Sequence, residues 1–273
     1  MALVTWAFVG LVLLLAVALV VVRLTEGDRP APEGPPLAPG SVVSALSGLP
    51  QSAFDAAGVS GLGALPQVVS GQGPYQVSGR PAVVFVGAEF SPYSAAASWA
   101  LVTALARFGT WTDLGLATSP STVVFGRATG FSFTGAGYRS PYIVLQAVES
   151  YSSQLASTAP GGFVSLASPS AGVLSQLRRF DGQDGTTLLP FVDVAGRVVI
   201  TGSAVGFSPG LLQGQSMSQV ASALGNPTSP LGQAVLGAAN VIEAAVCAVD
   251  GGRPAPVCST AGTRAAAARL GLP

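Results

Sequence analysis

The sequence predicts a mixed α/β domain in which helices flank a central sheet, with an N-terminal transmembrane helix and a C-terminal helical segment. Two features support this prediction. Residues 81–90 form a nearly continuous apolar run, which is typical of a strand buried on both faces. Residues 2–22 carry no charged side chain, and as a helix they span about 31 Å, close to the hydrocarbon thickness of a bilayer.

The N-terminal apolar run favours an uncleaved membrane anchor over a secretory signal peptide. A signal peptide has a basic segment before a shorter apolar core, and small residues at its cleavage site. Here no arginine precedes the run, and residues 20–24 offer no such site. Arg23 and Arg29 follow the run and, by the positive-inside rule, weakly favour a cytoplasmic location for the rest of the chain.

Composition divides the chain into four expected segments. They are a transmembrane anchor at 1–23, a linker rich in proline, glycine and serine at 24–73, the folded domain with its C-terminal helices at 74–260, and a tail at 261–273. Five prolines in residues 28–40 exclude a helix there and favour an extended spacer. A short helix is expected at 50–57.

The charged residues exclude several classes of function. They make up only 9% of the chain, the net charge is zero, and all twelve basic residues are arginines. A neutral chain without a basic cluster is not expected to bind nucleic acid. The absence of lysine and histidine excludes the Ser-His-Asp triad, the Schiff-base lysine, the P-loop and histidine-ligated metals.

Two weaker motifs are interpreted as turns. Gly206–Gly210 matches the G-x-S-x-G pattern of a nucleophile elbow, but the chain has no histidine to activate the serine. Asp181, Asp184 and Asp193 are too few for a calcium loop of the EF-hand type. We therefore expect no cofactor and no metal.

A strand, a tight turn and a helix follow one another in the centre of the chain. The apolar run ends in Ser91-Pro92-Tyr93-Ser94, and residues 95–108 then have apolar side chains at helical spacing. Gly109 provides the helix end. This order is how a thioredoxin fold presents its active site.

Seven motifs resemble those of a known family and follow one another in the same order as in that family. They are Val84–Ser94, Trp99–Val102, Arg107–Thr110, Phe131–Phe133, Ser140–Tyr142, Leu189–Asp193 and Leu211–Gly214. Through them, residues 80–150 and 185–260 resemble the domain of unknown function 929 family, thioredoxin-like proteins that are often tethered by one N-terminal helix. The resemblance implies a thioredoxin-like central sheet over most of the chain after the linker.

The chain departs from this family at the turn. The family pattern is Cys-Pro-Tyr-Cys, whereas this chain has Ser91, Pro92, Tyr93 and Ser94. A serine hydroxyl cannot attack a disulfide as a thiolate does. We therefore expect a degenerate turn without catalytic residues, in which Ser94 caps the helix and Tyr93 is a partly exposed cover or a peptide contact. Glu89 could move protons beside two thiols, and without them it is expected to be structural or relict.

The resemblance also implies a cis proline beside the turn, and Pro190 is the candidate. It lies in the apolar run 186–194, which predicts a second central strand. Ala195–Gly196 predicts a tight turn into a further strand at 197–202. The groove between Pro190 and the turn at 91–94 could hold an extended peptide by backbone hydrogen bonds.

The other expected elements complete the domain. They are strands at 122–125, 130–134 and 142–148, and helices at 174–180, 216–224 and 230–250. The last helix is expected to begin at Ser229-Pro230, a capping residue followed by a proline at the first helical position.

The two cysteines, Cys247 and Cys258, flank a glycine-rich turn after the last predicted helix. The favoured interpretation is a structural disulfide, because a helix followed by a tight return could bring the two Cα atoms within bridging distance. A redox-active pair and two free buried thiols are the alternatives. A disulfide favours an oxidising compartment, and therefore a domain on the extracytoplasmic side of the cell membrane.

The expected protein is thus a single-pass membrane protein whose thioredoxin-like domain binds a peptide or protein, or acts as a scaffold. It is not expected to be an active oxidoreductase. One alternative is a thiol-disulfide oxidoreductase that uses Cys247 and Cys258, and another is a structural subunit of a membrane complex. The expected partners are the membrane, through one helix, and a protein or peptide.

Overall fold

The computed structural model describes residues 34–71, 73–156, 162–180, 189–226 and 228–273. The expected anchor at 1–23 lies outside these residues, as do Asp181 and Asp184. Residues 35–273 form one compact unit.

The described residues contain eight helices and twelve strands. The helices are α1 (Gly40–Ser47), α2 (Gln51–Ala57), α3 (Pro92–Leu105), α4 (Ala171–Phe180), α5 (Met217–Leu224), α6 (Pro230–Asp250), α7 (Ala255–Cys258) and α8 (Ala261–Leu270). The strands are β1 (Gln67–Val68), β2 (Gln76–Val77), β3 (Arg80–Gly87), β4 (Thr110–Thr112), β5 (Gly115–Thr118), β6 (Thr129–Ser132), β7 (Gly137–Arg139), β8 (Val144–Glu149), β9 (Tyr151–Leu155), β10 (Phe163–Ser165), β11 (Phe191–Val194) and β12 (Val198–Thr201).

The central sheet is mixed, as expected for the α/β class. Its strands run in the order β1, β12, β11, β3, and β3 pairs in addition with β8 and, at its first residues, with β2. β8 is parallel to β3, whereas β11 and β12 are antiparallel to their neighbours. All residues from Ala82 to Gly87 are buried, which confirms β3 as a central strand. Val83 and Phe85 face the main core, and Val84 and Val86 face α4.

A β insertion between α3 and β8 packs on α3. It consists of two antiparallel pairs, β4 with β7 and β5 with β6. The indole N–H of Trp99 on α3 donates to the carbonyl oxygen of Thr129 on β6 at 2.8 Å. Gly130 permits this close approach, because a Cβ at this position would lie 2.6 Å from the Cα of Ala95. The insertion is therefore held against the first half of α3.

The structure differs from the linker and the tail that the composition predicted. α1 and α2 lie within the linker expected at 24–73, and their residues Leu46 and Phe54 are fully buried. α8 occupies the tail expected at 261–273, where Ala266 is buried. These helices bury apolar side chains against the core, so the folded unit begins near Pro35 and extends to the C terminus.

Most other expected elements are present with shifted ends. α2 confirms the short helix expected at 50–57. The helix expected at 95–108 begins three residues earlier, because Pro92 fits the first helical position. The strand expected at 122–125 is wrong: these residues form turns, and Phe125 has a φ of 59°, which a strand does not allow.

Among the described helices, α6 alone is long and apolar enough to cross a membrane by length and composition. Its Ser229 N-cap and Pro230 start were expected. It packs against α2, α3, α5 and α8, and most of its residues are buried. These contacts make α6 the central helix of the core.

A buried ion pair joins α6 to the end of α3. Nη1 of Arg107 lies 2.9 Å from Oε2 of Glu243, whose side chain is fully buried. The guanidinium also donates to Gln51 and lies 4.3 Å from the ring centroid of Phe54, and the hydroxyl of Thr263 donates to Glu243 at 2.8 Å. Burial raises the pKa of Glu243 to about 7, although Arg107 acts to lower it.

Replacing Arg107 with methionine is expected to lower the free energy of unfolding by about 3 kcal/mol at pH 8, because Glu243 must then carry an unpaired charge in the core or take up a proton well above its ordinary pKa. The folded pKa of Glu243 lies above 4.5, so this carboxyl favours folding most at low pH, and that contribution is lost as the pH rises through 7. The loss in R107M should therefore shrink at pH 5.

Urea unfolding at pH 5 and pH 8 measures this difference. Arg264→Met, which removes an exposed arginine of α8, is the control. An equal loss for R107M at the two pH values would contradict a charged Glu243 as its cause.

Candidate functional site

The expected site lies where β3 ends and α3 begins. β3 ends at Gly87, residues 88–91 form the turn, and α3 begins at Pro92. β8 is parallel to β3, and its last residue, Glu149, pairs with Gly87. The turn and the ends of both parallel strands therefore lie at the same edge of the sheet.

Ser91 and Ser94 both use their hydroxyls to hold the turn. Oγ of Ser91 accepts a hydrogen bond from the main-chain N–H of Ser94 at 3.3 Å, which makes Ser91 the N-cap of α3. Oγ of Ser94 accepts one from the main-chain N–H of Ala88 at 3.2 Å. The cap expected at Ser94 is wrong by three residues, because the helix already begins at Pro92. Both serines are buried.

Pro190 lies at the same edge of the sheet. The Leu189–Pro190 peptide bond is cis, and Pro190 directly precedes β11. Phe191 pairs with Val86 in the antiparallel register, so the next position places Pro190 opposite Gly87. Pro190 therefore flanks the residue that leads into the turn.

Two carboxylates lie beside the turn. Glu89 accepts hydrogen bonds from the hydroxyls of Ser132 at 2.7 Å and of Thr134 at 3.5 Å. Glu149 is buried, and its Oε1 accepts a hydrogen bond from the main-chain N–H of Phe133 at 3.4 Å. Its Oε2 has no hydrogen-bond partner among the described residues. The β insertion thus supplies the groups that hold both acids.

The buried acid Glu149 has a raised pKa. Burial raises its pKa well above the ordinary range of a glutamate, and the nearby charge of Glu89 raises it further. The N–H of Phe133 lowers the pKa without offsetting the burial. A carboxyl of this kind can hold and exchange a proton, but the neighbouring turn has hydroxyls at 91 and 94 where a thiol would receive it.

Aromatic rings flank the turn. Phe90 stacks on Phe163, with ring centroids 4.1 Å apart, and also contacts Tyr151. Tyr93, expected to be partly exposed, meets the ring of Phe125 edge-on at 6.2 Å. All five rings are partly or largely exposed. Partly exposed aromatic side chains are enriched at surfaces that bind proteins.

A groove of about 350 Å³ lies next to these rings. Val86, Tyr151, Leu174, Leu177 and Leu189 supply its apolar lining, and serines supply most of its polar lining. Of the rings named above, Tyr151 lines this groove, which also includes Leu189, the residue before the cis proline.

Cys247 and Cys258 lie elsewhere in the fold. They are joined by a disulfide between the end of α6 and α7, with Cα atoms 5.6 Å apart. Neither cysteine lines the groove. Of the residues expected at the site, the fold brings Glu89, the turn at 91–94 and Pro190 to one sheet edge, and it places the cysteines outside this group.

Sequence reasoning missed four residues of this site: Glu149, Phe125, Tyr151 and Phe163. Glu149 directly follows the strand expected at 142–148, so a parallel pairing with the strand before Glu89 would have placed the two acids together. Phe125 lies in the segment wrongly expected to be a strand, and no sequence signal links it, Tyr151 or Phe163 to the turn.

Comparison with known proteins gives one match. Residues 68–157 match the family model described as Domain of unknown function (DUF929). This segment of the chain is similar to the DUF929 family. The match covers β3, the turn, α3, the β insertion and β8, and it confirms the family that the motifs suggested. No curated protein and no solved structure matches the chain.

Within the described part of the chain, no three Asp, Glu or Cys side chains group as a metal site requires.

Replacing Glu149 with glutamine is expected to reduce the loss of stability between pH 5 and pH 8. The folded pKa of Glu149 is raised, so its contribution to folding is present at low pH and is lost as the pH rises through that pKa. Glutamine cannot ionise, and this loss should disappear. Urea unfolding at both pH values measures it.

The matched control is Asp113→Asn, which neutralises an exposed carboxylate in the β insertion. The same pH dependence in E149Q and in the unmodified protein would show that Glu149 is not protonated preferentially in the folded state.

Proposed function

We propose that this DUF929 protein is anchored in the cell membrane by its N-terminal apolar run, and that its thioredoxin-like domain binds an extended peptide or protein segment outside the cytoplasm. The observation that carries the proposal is the use of the two serines. At the positions where the family pattern has cysteines, Ser91 and Ser94 hold the backbone of the turn with their hydroxyls. The turn therefore keeps its shape without a group that exchanges disulfides.

The topology supports a thioredoxin-like domain. The parallel unit β3–α3–β8 is followed by the antiparallel pair β11–β12 and by α6, which packs on α3. A thioredoxin-type sheet combines such a parallel βαβ unit with an antiparallel pair, and it has a cis proline before the strand next to its active-site turn. Pro190 has this position relative to β11.

The surface beside the turn supports peptide binding. Phe90 and Tyr93 are sequence neighbours of the buried serines Ser91 and Ser94. A groove lined by Tyr151, which contacts Phe90, also includes Leu189. Backbone groups supply affinity for an extended peptide regardless of its sequence, and apolar pockets beside them supply selectivity. Neither the backbone groups nor the apolar pockets depend on thiols in the turn.

A thiol-disulfide oxidoreductase is the less favoured alternative. Cys247 and Cys258 are the only cysteines of the chain, and they are partly buried where α6 meets α7. A redox-active cysteine needs a lowered pKa and access for its substrate. A disulfide that closes a loop of this length at a helix end instead limits the freedom of the unfolded chain. A structural subunit of a membrane complex remains the third hypothesis, and it predicts no binding of free peptides.

The unmodified protein is expected to show no dithiol-dependent reduction of insulin. The double variant S91C/S94C is expected to gain this activity and a thiol of lowered pKa at position 91, because this residue caps the N-terminus of α3. Turbidity from precipitated insulin chains measures the activity, and thiol alkylation across pH measures the pKa. Insulin reduction by the unmodified protein that Cys247→Ala abolishes would instead support the oxidoreductase.

Peptide binding is expected to be visible by NMR with the S-alkylated B chain of insulin, an unfolded peptide without free thiols. Amide signals of residues 89–94 and of Leu189 should shift, and Tyr93→Ala should weaken binding at least fivefold. Leu37→Ala, which removes an exposed apolar side chain of another surface, is the control. Unchanged spectra up to millimolar peptide would favour the structural subunit.

The disulfide is expected to be formed in cells, because the proposed domain lies on the oxidising side of the membrane. Intact cells are treated with an alkylating agent, the protein is denatured, and its mass is measured. Both cysteines should escape alkylation until a reductant is added. Two alkylated cysteines in protein trapped without reductant would place the domain in the cytoplasm.

A further inference from the structure

β8 has one edge that no other strand covers. On its inner edge it pairs with β3, and the described residues contain no strand on its outer edge. Edge strands of natural proteins are commonly protected by lysine, proline, bulges or a covering element. β8 has the sequence Val-Leu-Gln-Ala-Val-Glu, without lysine or proline, and its pairing with β3 runs without a bulge.

The register shows which backbone groups face outward. The main-chain N–H of Ser150 donates to the carbonyl oxygen of Gly87, and in a parallel ladder every second residue bonds the same neighbour. Val144, Gln146 and Val148 therefore bond to β3. The N–H and C=O groups of Leu145 and Ala147 point away from it, and among the described residues they have no hydrogen-bond partner.

A groove of about 390 Å³ runs along this edge. Its lining includes four consecutive residues of β8, Leu145 to Val148. Successive side chains of a strand point to opposite faces, so only a groove that encloses the edge itself can contact all four. The groove is therefore placed where the next strand of the sheet would lie.

The two walls of the groove come from different parts of the fold. Trp111, Phe133 and Tyr138 of the β insertion form one wall, and Ser168 and Ser170 before α4 belong to the other. Hydrogen bonds to α3 fix the aromatic wall: the Trp111 indole donates to Val102 at 3.3 Å, and the Tyr138 hydroxyl donates to Leu105 at 2.9 Å. No charged side chain lines the groove.

We propose that this groove binds an extended, uncharged peptide segment of another protein, which adds a strand to the central sheet at β8. The unpaired groups of Leu145 and Ala147 supply the backbone hydrogen bonds, and the aromatic wall contacts alternate apolar side chains of the peptide. The edge is recessed between two walls, so a free extended segment can reach it. The equally recessed edge of a second copy of the chain cannot.

This site shares Ser168 with the groove near Leu189 but is otherwise lined by different residues, and it does not depend on the function proposed above. The experiment uses the whole folded unit and an acetylated, amidated seven-residue peptide of alternating threonine and valine. Amide hydrogen exchange is followed by NMR. At saturating peptide, exchange at Leu145 and Ala147 should slow at least tenfold, while that at Gln146, which already bonds to β3, should change less than twofold.

Two variants test the geometry. Ala147→Pro removes a main-chain N–H that points away from β3, without removing a hydrogen bond to β3. It should weaken peptide binding at least tenfold and leave the midpoint of urea unfolding unchanged. Ala136→Lys introduces a charge at a residue that lines this groove and not the one near Leu189, and it should weaken peptide binding similarly. Leu155→Lys is the control, because Leu155 is exposed and lines neither of these two grooves. The affinity of this control variant for the peptide should stay within twofold of that of the unmodified protein.

Three results would overturn the proposal. The first is amide hydrogen exchange at Leu145 and Ala147 that does not slow at peptide concentrations up to millimolar. The second is protection confined to residues 91–94 and Leu189, which would support peptide binding at the turn alone. The third is a concentration-dependent dimer in sedimentation that Ala147→Pro abolishes, which would assign the edge to a second copy of the chain.

Discussion

The enclosure of α3 is the constraint on which the rest of the structure depends. Thirteen of its fourteen residues are buried, so the helix has no solvent-facing side. The β insertion, α6 and α1 each pack on it. A helix enclosed on all sides cannot rotate or slide to accommodate a change at its end. The position of its first turn, and with it the turn at 91–94, is therefore fixed by packing.

The same packing explains the buried acid beside the turn. The parallel pairing of β3 and β8 brings Glu149 to Gly87, where a Cβ would lie 3.1 Å from Oε2 of Glu149. Burial of a carboxyl is unfavourable unless it is protonated or hydrogen-bonded. The insertion offers one main-chain N–H, from Phe133, which does not offset the burial, so the pKa of Glu149 is raised.

The sequence allowed the elements with strong periodicity or capping signals to be predicted. β3, α6 with its Ser229 cap, and the β11–β12 pair followed from such signals. Within the expected linker only α2 was predicted and α1 was missed, because a short helix in a segment rich in glycine and serine buries few apolar residues. The pairing of β8 with β3 depends on contacts between distant residues, so neither the acid pair nor the open edge could be predicted from local patterns.

The serines explain how the turn can lose its chemistry without losing its structure. The first turn of a helix has main-chain N–H groups without partners, and an acceptor at the N-cap satisfies one of them. A thiolate at this position would act as acceptor and nucleophile together. The hydroxyl of Ser91 keeps the acceptor and removes the nucleophile, and that of Ser94 binds Ala88 on the strand side. Because α3 is fixed by its own packing, the position of the turn and of Tyr93 does not depend on a thiol.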